Sequence, residues 1–333
     1  KPTDDSVYED DETATISISG VSGGSATESG TQAVTITISE NESAPTVTLA
    51  VSATSIAENS GSTLTLTATS SIVADENITV SISTSGTATE GTDYGTISDI
   101  TISAGATTGT ATFDPTDDSI SDVAETAAVA ISGVSGADAT ESGTQSVTIT
   151  INDNESTPTI TLAVSATSIA ENAGSSLTLT ATSSIASGSD ITVSLGTGST
   201  ATEGTDYGSV SDITISAGAT TGTTTFTPTD DSMYETSTNE TAIISIDGVS
   251  GGSAAEDGTQ SVTITITENE SAPTVTLAVS STSIAENAGS SLTLTATLSG
   301  TTSQDVIVSL SSSSSATEGT DYGTVSDITI TSG

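Results

Sequence analysis

The chain has 333 residues, with 43 aspartates and glutamates against one basic residue, and its formal net charge is -42. Such an excess of negative charge repels nucleic acids and anionic membrane surfaces, which excludes both as partners. The sequence also contains no histidine and no cysteine, which excludes histidine acid–base catalysis, disulfides and the usual ligand sets of zinc, copper and iron.

The first element in chain order is an acidic loop, DDSVYEDDET at residues 4–13, in which six of the ten side chains are acids. Packing like charges together costs energy in water, and costs more as the charges lose solvent. The loop therefore needs a compensating partner, and bulk salt, a polymer neighbour and a bound cation are the alternatives. Carboxylate, hydroxyl and amide oxygens are the ligands of hard cations such as calcium.

The segments that follow have an apolar period of two. In TVTLAV, Val47, Leu49 and Val51 alternate with threonine and alanine, and TLTLTAT, ITVSI and SVTITI continue the pattern along the chain. Together with ISDITI, ATTGTATF and AAVAISGV, they predict about seven short strands in each repeat. This pattern is typical of an all-β, antiparallel β-sandwich in which one face of each sheet is solvated.

The sequence is an internal repeat. PTVTLAVSATSIAEN begins at Pro45 and recurs almost unchanged at Pro158 and Pro273. One repeat is long enough to be a domain with its own core. We therefore predict four segments: the C-terminal half of a repeat at residues 1–43, full repeats at 44–156 and 157–271, and the N-terminal half of a repeat at 272–333.

The half-repeats leave two interpretations open. The chain starts at Lys1 rather than at a methionine, so we expect a processed protein or a piece of a longer one. The first interpretation is a window of a longer array. The second is a subunit whose two half-repeats complete each other between neighbouring copies, with a donated strand.

The acids fall in strand-end loops at equivalent positions of successive repeats. Along one repeat the order is SIAEN, then ATEGTDY, then DD-x-hydrophobic-x-[ED]-x-x-E, then ITI-x-[DE]-N-E. This order resembles the Calx-beta domain, and the resemblance covers essentially the whole chain. It implies an immunoglobulin-like sandwich with calcium ions held at one end by these loops. Calcium takes about six to eight oxygens, often several from carboxylates, which recurring loop acids would supply.

The resemblance also implies which residues hold calcium. In the first full repeat they are Glu58, Asp93, Asp117, Asp118, the backbone carbonyl of Ile120, Asp122, Glu125 and Asp153, with Glu155 as a further candidate. In the second full repeat they are Glu171, Asp206, Asp230, Asp231, Glu235, Glu240 and Glu268. In the half-repeats they are Asp4, Asp5, Glu9, Glu12, Glu40, Glu286 and Asp321.

Departures from the family pattern leave the number of ions per repeat open. Ser119 stands where some family members carry a third aspartate, and Glu268 replaces the aspartate of the last strand. The acidic loop Asp230–Thr241 is two residues longer than its counterpart Asp117–Thr126, which leaves open whether Glu240 reaches the site. The alternative for all the acids is a solvated charged surface. The tyrosines that follow the loop aspartates, Tyr94, Tyr207 and Tyr322, are expected to be packing anchors.

We expect the chain to have a mechanical rather than an enzymatic role. The predicted function is an extracellular stalk or filament segment on a microbial cell surface, stiffened by calcium at short, proline-containing junctions such as NESAPTV at residues 41–47. Its expected partners are neighbouring repeats, copies of itself in a fibre, or a cell-surface or matrix partner. The alternatives are an adhesin module that binds carbohydrate, ice or protein, and a self-assembling filament subunit. No apolar run approaches the roughly 18 residues of a membrane span.

Overall fold

The computed structural model describes residues 1–235 and 239–333. In this part of the chain nearly every regular element is a β-strand, and the one helical element is a 3-10 turn at Glu58–Ser60. The all-β prediction is therefore confirmed. The chain divides into two compact units, Lys1–Ser156 and Thr157–Gly333. Among the described residues, no helix has the length and apolar character needed to cross a membrane.

The first unit contains the half-repeat at the N-terminus of the chain (residues 1–43), which we call the N-terminal half-repeat, and the first full repeat. Its strands are β1 (Val7–Tyr8), β2 (Glu12–Ser17), β3 (Ala33–Ile38), β4 (Thr46–Val51), β5 (Ser55–Ala57), β6 (Leu64–Ser70), β7 (Val73–Ala74), β8 (Ile78–Gly86), β9 (Ile100–Ile102), β10 (Thr108–Phe113), β11 (Ile120–Ser121), β12 (Glu125–Ser135), β13 (Thr140–Glu141) and β14 (Ser146–Asn152).

The full repeat of the first unit is a sandwich of two sheets. One sheet has the strand order β10-β6-β4-β13 and the other β5-β14-β12-β8-β9. Along β6, Leu64, Leu66 and Ala68 are buried between the sheets while the intervening threonines face outward. The period-two pattern therefore produces the core directly, because alternate side chains of a strand point to opposite faces.

The second unit contains the second full repeat and the half-repeat at the C-terminus of the chain (residues 272–333), which we call the C-terminal half-repeat. Its strands are β15 (Thr159–Val164), β16 (Ser168–Ala170), β17 (Leu177–Ser183), β18 (Ala186–Ser187), β19 (Ile191–Ser199), β20 (Ile213–Ile215), β21 (Thr221–Phe226), β22 (Met233–Tyr234), β23 (Glu240–Ser250), β24 (Ala255–Glu256), β25 (Ser261–Thr267), β26 (Val275–Val279), β27 (Leu294–Leu298), β28 (Thr301–Thr302), β29 (Val306–Val308) and β30 (Ile328–Ile330). Its full repeat has the same two sheets, β21-β17-β15-β24 and β16-β25-β23-β19-β20.

Two short edge strands were not expected from the sequence. The sequence predicts a loop at SIAEN, but Ser55–Ala57 forms β5 and pairs in parallel with β14. Thr140–Glu141 likewise forms β13 and pairs in parallel with β4. The estimate of about seven strands per repeat was therefore low, because strands of two or three residues are too short to show an alternating pattern.

The loop tyrosines anchor the sandwiches in the two full repeats. Tyr94 stacks on Phe113 with ring centroids 4.7 Å apart, and Tyr207 stacks on Phe226 at the same distance. Both tyrosines are 1% exposed, so the packing-anchor prediction is confirmed for them. Because each follows a loop aspartate directly, this burial also fixes the position of that aspartate.

The half-repeats expose side chains that the full repeats bury. Ile16 of β2 is 59% exposed and Ile36 of β3 is 49% exposed, whereas Ile149, which is equivalent to Ile36, is 0% exposed. At the other end of the chain Leu277 is 53% exposed, whereas Leu162 at the equivalent position is 7% exposed. Each half-repeat therefore presents an open apolar sheet face.

Candidate metal centre

A pair of parallel strands brings Glu58 and Glu155 together. Strand β5 pairs in parallel with β14, with Ala57 opposite Asn152. Parallel strands leave a sheet at the same edge, so Glu58 emerges after β5 beside Asp153 and Glu155, which follow β14. Strands β16 and β25 form the same arrangement in the second full repeat.

The first group of carboxylates, which we call the edge cluster, lies at this point. Its members in the first full repeat are Glu58, Asp117 and Glu155, whose ligand oxygens lie within 4.8 Å of one another. Its members in the second full repeat are Glu171, Glu268 and Glu270, within the same limit. The longer side chain of Glu268, at the position of Asp153, takes part in the second cluster.

The second group, which we call the loop cluster, joins the GTDY loop to the long acidic loop. Its members in the second full repeat are Asp206, Glu235 and Glu240, again within 4.8 Å of one another. The equivalent residues in the first full repeat are Asp93, Asp122 and Glu125, which do not form a group within that limit, although, after burial, the charge of Asp93 contributes to the raised pKa of Glu125. Glu240 thus reaches the site, although residues 236–238 of the longer loop lie outside the described residues.

Several carboxylate oxygens in or beside these clusters are buried and have no hydrogen-bond partner among the described residues. They are Glu58 Oε1, Asp153 Oδ1, Glu155 Oε2, Glu240 Oε2 and Glu270 Oε2. Glu171 is only 7% exposed. A buried acceptor without a partner is costly, and a buried charge without a partner costs more. Within each cluster, carboxylates arranged in this way fit a bound hard cation.

The electrostatics show the same deficit of positive charge. Burial, followed by a hydrogen bond and the charge of Glu155, raises the pKa of Glu58 to about 8. Burial, followed by hydrogen bonds with Glu270 and Glu268, raises the pKa of Glu171 to about 8. At the loop-cluster position of Glu240 and the equivalent position of Glu125, burial and then the charge of the neighbouring aspartate raise the pKa of each glutamate to about 7. A bound cation would favour the ionised form of all four glutamates.

Other acids at the same end shape the backbone of the acidic loops. Asp118 Oδ1 accepts a hydrogen bond from the Ile120 N–H at 2.6 Å, and Asp153 Oδ2 accepts one from the Asp122 N–H at 3.2 Å. Asp93 Oδ2 accepts one from the Thr89 N–H at 2.6 Å. These carboxylates therefore hold their loops in place while their remaining lone pairs stay available.

The half-repeats carry incomplete sets of the predicted ligands. Asp4, Asp5, Glu9, Glu12 and Glu40 line one cavity of about 350 Å³. Among the described residues they form no group as close as the edge and loop clusters, and neither do Glu286 and Asp321 of the C-terminal half-repeat. A hydrogen bond with Glu42, and then backbone N–H groups, lower the pKa of Glu40 to about 2.

Sequence reasoning missed one member of the edge cluster and the residue that positions it. The predicted ligand set does not include Glu270, although it includes Glu155 at the equivalent position. Asn269 donates from Nδ2 to Glu270 Oε1 at 2.9 Å, and Asn154 donates to Glu155 Oε1 at the same distance. The recurring N-E pair at the end of the last strand was the available signal. Asp230, by contrast, lies outside the second edge cluster, whereas Asp117 at the equivalent position belongs to the first.

Comparison with known proteins gives a family match and distant structural likenesses. The Calx-beta domain model matches residues 40–155, 153–270 and 268–329. A search of curated proteins returns no match.

Similar solved structures include CBD12 from CALX1.2, with 17% identity, a TM-score of 0.28, and coverage of 57% of this chain and 75% of that chain. They also include the bacterial integrin-binding protein invasin, with 19% identity, a TM-score of 0.32, and coverage of 79% of this chain and 50% of that chain. The Yersinia pseudotuberculosis adhesin InvE has 13% identity, a TM-score of 0.32, and coverage of 66% of this chain and 58% of that chain. At these TM-scores the structures carry no argument about this chain.

Proposed function

Because this chain belongs to the Calx-beta domain family, we propose that its carboxylate clusters bind calcium and that calcium stiffens a tandem array of β-sandwiches. The array would serve as an extracellular stalk or filament segment on a microbial cell surface. The observation that carries the proposal is the set of buried carboxylate oxygens without partners in both full repeats, among which Glu155 and Glu270 occupy equivalent positions. Such oxygens match the ligand preference of calcium.

The second full repeat, which has both an edge cluster and a loop cluster, would hold more than one ion. Calcium takes about six to eight oxygens, and the edge and loop clusters are separate groups of carboxylates drawn from different loops. The bound ions would neutralise groups that otherwise repel, so that binding and loop ordering are linked.

An extracellular location is part of the same proposal. Extracellular calcium modules work with dissociation constants of about 10⁻⁴ to 10⁻³ M, a range that suits a structural rather than a sensing role. The repeats are nearly copies of one another, which favours a spacer over a module with a specific ligand-binding face. We assign the acids to metal binding rather than to catalysis, because equivalent sets recur in each repeat of a chain without histidine or cysteine.

The test is calcium binding to the complete chain in high sodium chloride, measured by calorimetry and by thermal melting with calcium or with chelator. We expect a calcium-specific rise in melting temperature. Glu171→Gln removes a buried ligand from one edge cluster, and it should weaken calcium binding at that repeat by about tenfold or more. With chelator, the same variant should be more stable than the original chain, because an uncompensated buried acid has been removed.

The matched control is Asp257→Asn, which removes one charge at an exposed position outside both clusters. Its calcium affinity should equal that of the original chain. If calcium causes no shift in high salt and salt alone stabilises the chain, the acids are a solvated surface and the proposal is wrong.

A further inference from the structure

The connection between β10 and β11 contains an aspartate followed by a proline, Asp114–Pro115, and no aspartate precedes any other proline of the chain. The equivalent pair is Lys1–Pro2 in the N-terminal half-repeat and Thr227–Pro228 in the second full repeat. The second full repeat forms the same two sheets with threonine at this position, so the fold does not require an acid there.

The chemistry of this pair favours cleavage of the peptide bond between its two residues. A carboxylate can act as a nucleophile. The carboxylate of Asp114 belongs to the residue whose carbonyl it would attack, and such an intramolecular group acts at a very high effective concentration. The attack closes a five-membered cyclic anhydride. The proline nitrogen carries no hydrogen in the peptide and leaves as a secondary amine.

The fold holds the carbonyl group that would be attacked. The Gly95 N–H donates to the Asp114 carbonyl oxygen at 2.8 Å, and the Thr116 N–H donates to the Asp93 carbonyl oxygen at 2.9 Å. A fixed N–H donor at the oxygen on which negative charge develops stabilises the transition state. Asp114 is exposed, so water has access to the bond.

We propose that the chain cleaves itself between Asp114 and Pro115. The Asp114 carboxylate attacks the carbonyl carbon of its own residue, the bond from that carbon to the Pro115 nitrogen breaks, and the nitrogen takes up a proton from water. Water then opens the anhydride and leaves two carboxylates on Asp114. Overall one water is consumed: its oxygen enters a carboxylate of Asp114, and its two protons end on the Pro115 nitrogen.

The cut separates two fragments whose strands remain paired. Strand β8 belongs to the fragment before the cut and β12 to the fragment after it, and residues 79–86 of β8 pair with residues 127–135 of β12. Strands β5 and β14 pair across the cut in the same way. The fragments therefore stay together until force or denaturant separates them. Cleavage itself does not depend on the proposed function, but in a stalk it would make the first full repeat a break point.

The experiment is incubation of the complete purified chain in mildly acidic buffer, which supplies the proton that the leaving nitrogen takes up. The buffer is made in water labelled with heavy oxygen, and the products are analysed by mass spectrometry. Fragments 1–114 and 115–333 should accumulate, and they should migrate together in a native gel and apart in a denaturing gel.

The position of the heavy oxygen identifies the mechanism. Because water can open the anhydride at either carbonyl, the label should appear in both the α-carboxyl group and the side chain of Asp114. A contaminating protease would place it in the α-carboxyl group alone.

The same incubation in urea measures the contribution of the fold. The unfolded chain keeps Asp114 and Pro115 but loses the hydrogen bond from Gly95. Cleavage should therefore be slower in urea by about tenfold or more.

Two matched variants test the aspartate and its setting. Asp114→Thr introduces the residue that the second full repeat has at the equivalent position, and it should abolish the cut. Thr227→Asp creates the same pair in the second full repeat, where the Gly208 N–H donates to the Thr227 carbonyl oxygen at 2.9 Å. It should add a second cut, between residues 227 and 228.

Two results would overturn the proposal: cleavage of the folded chain that is no faster than cleavage in urea, and a label confined to the α-carboxyl group. If the original chain is cut after Asp114 but Thr227→Asp adds no second cut, the assignment of the Gly95 N–H as the promoting donor is wrong.

Discussion

Glu58 and Glu171 show what a single residue contributes to this protein. Both follow a short parallel edge strand, and Glu171 is 7% exposed. Burial is the main reason that the pKa of each is raised to about 8. An acid in such a position destabilises the metal-free fold at neutral pH unless it takes up a proton or a cation.

The raised pKa values predict how stability depends on pH. In the metal-free fold Glu58 and Glu171 hold a proton that the unfolded chain releases at its ordinary pKa of 4.5. Between about pH 5 and about pH 8 the folded state therefore binds more protons than the unfolded state, so the free energy of unfolding falls as pH rises. Thermal melts in chelator should show a melting temperature that falls by several degrees across this window.

Saturating calcium should abolish or reverse this dependence, because protons then compete with the cation for the same carboxylates. A chain with both Glu58→Gln and Glu171→Gln should lose most of the metal-free dependence. The assignment of these two residues would be contradicted by a melting temperature in chelator that rises with pH. It would also be contradicted if the double variant kept the full pH dependence of the melting temperature.

Among the elements, the parallel pair β5 and β14 decides where the site lies. The alternation of SVTITI predicts β14, but nothing local predicts that Ser55–Ala57 pairs with it. The pairing turns a loop residue, Glu58, into a partner of the acids that end β14. The site is therefore a property of strand register rather than of any one loop.

A glycine in β21 reports how closely the two sheets approach. A side chain at Gly222 would overlap the Thr214 carbonyl oxygen and lie 2.8 Å from Ile213 Cγ2, both in β20 of the opposite sheet. We expect Gly222→Ala to destabilise the second full repeat by about 1–3 kcal/mol, the usual cost of overpacking. The measurement is hydrogen exchange of the slowest amides in β17 and β21, in calcium.

Gly208→Ala is the control for this prediction. A side chain at Gly208 would meet its nearest atom, the Thr227 carbonyl oxygen, at 3.9 Å, which is ordinary contact. Its effect should lie within about 0.5 kcal/mol. Equal effects of the two variants would show that the sheets do not approach as closely at Gly222 as described.

For the whole molecule, the open faces of the half-repeats bear on the filament hypothesis. Ile16 and Ile36 at one end, and Leu277 at the other, occupy positions that are buried in the full repeats. The two half-repeats also carry complementary sets of acids. The C-terminal half-repeat has Glu286 and Asp321, and the N-terminal half-repeat has no residues equivalent to them. The hypothesis that copies complete each other head to tail therefore predicts calcium-dependent association of the complete chain in sedimentation velocity.

Ile36→Ser should weaken this association, because it removes an apolar contact from the open face. Ile243→Ser, at a position 40% exposed in the second full repeat, is the control and should associate like the original chain. A chain that stays monomeric at high concentration with calcium would exclude association between copies and leave adjoining repeats as the cover for these faces.

Much of this protein follows from local patterns in its sequence. The period-two alternation of segments such as TVTLAV predicts an all-β sandwich, because alternate side chains in a strand must face the core. The recurrence of PTVTLAVSATSIAEN predicts repeats. Acids at strand-end loops predict a common acidic end, since the loops at one end of a sandwich lie close together.

Other features depended on contacts between segments far apart in the chain. These are the parallel pairing that places Glu58 beside Glu155, the inclusion of Glu270, and the pairing of β1 with β7. Each involves strands of two or three residues, or side chains, brought together by register. Such short elements carry no periodic signal of their own, and their partners are chosen by the packing of the two large sheets around the core.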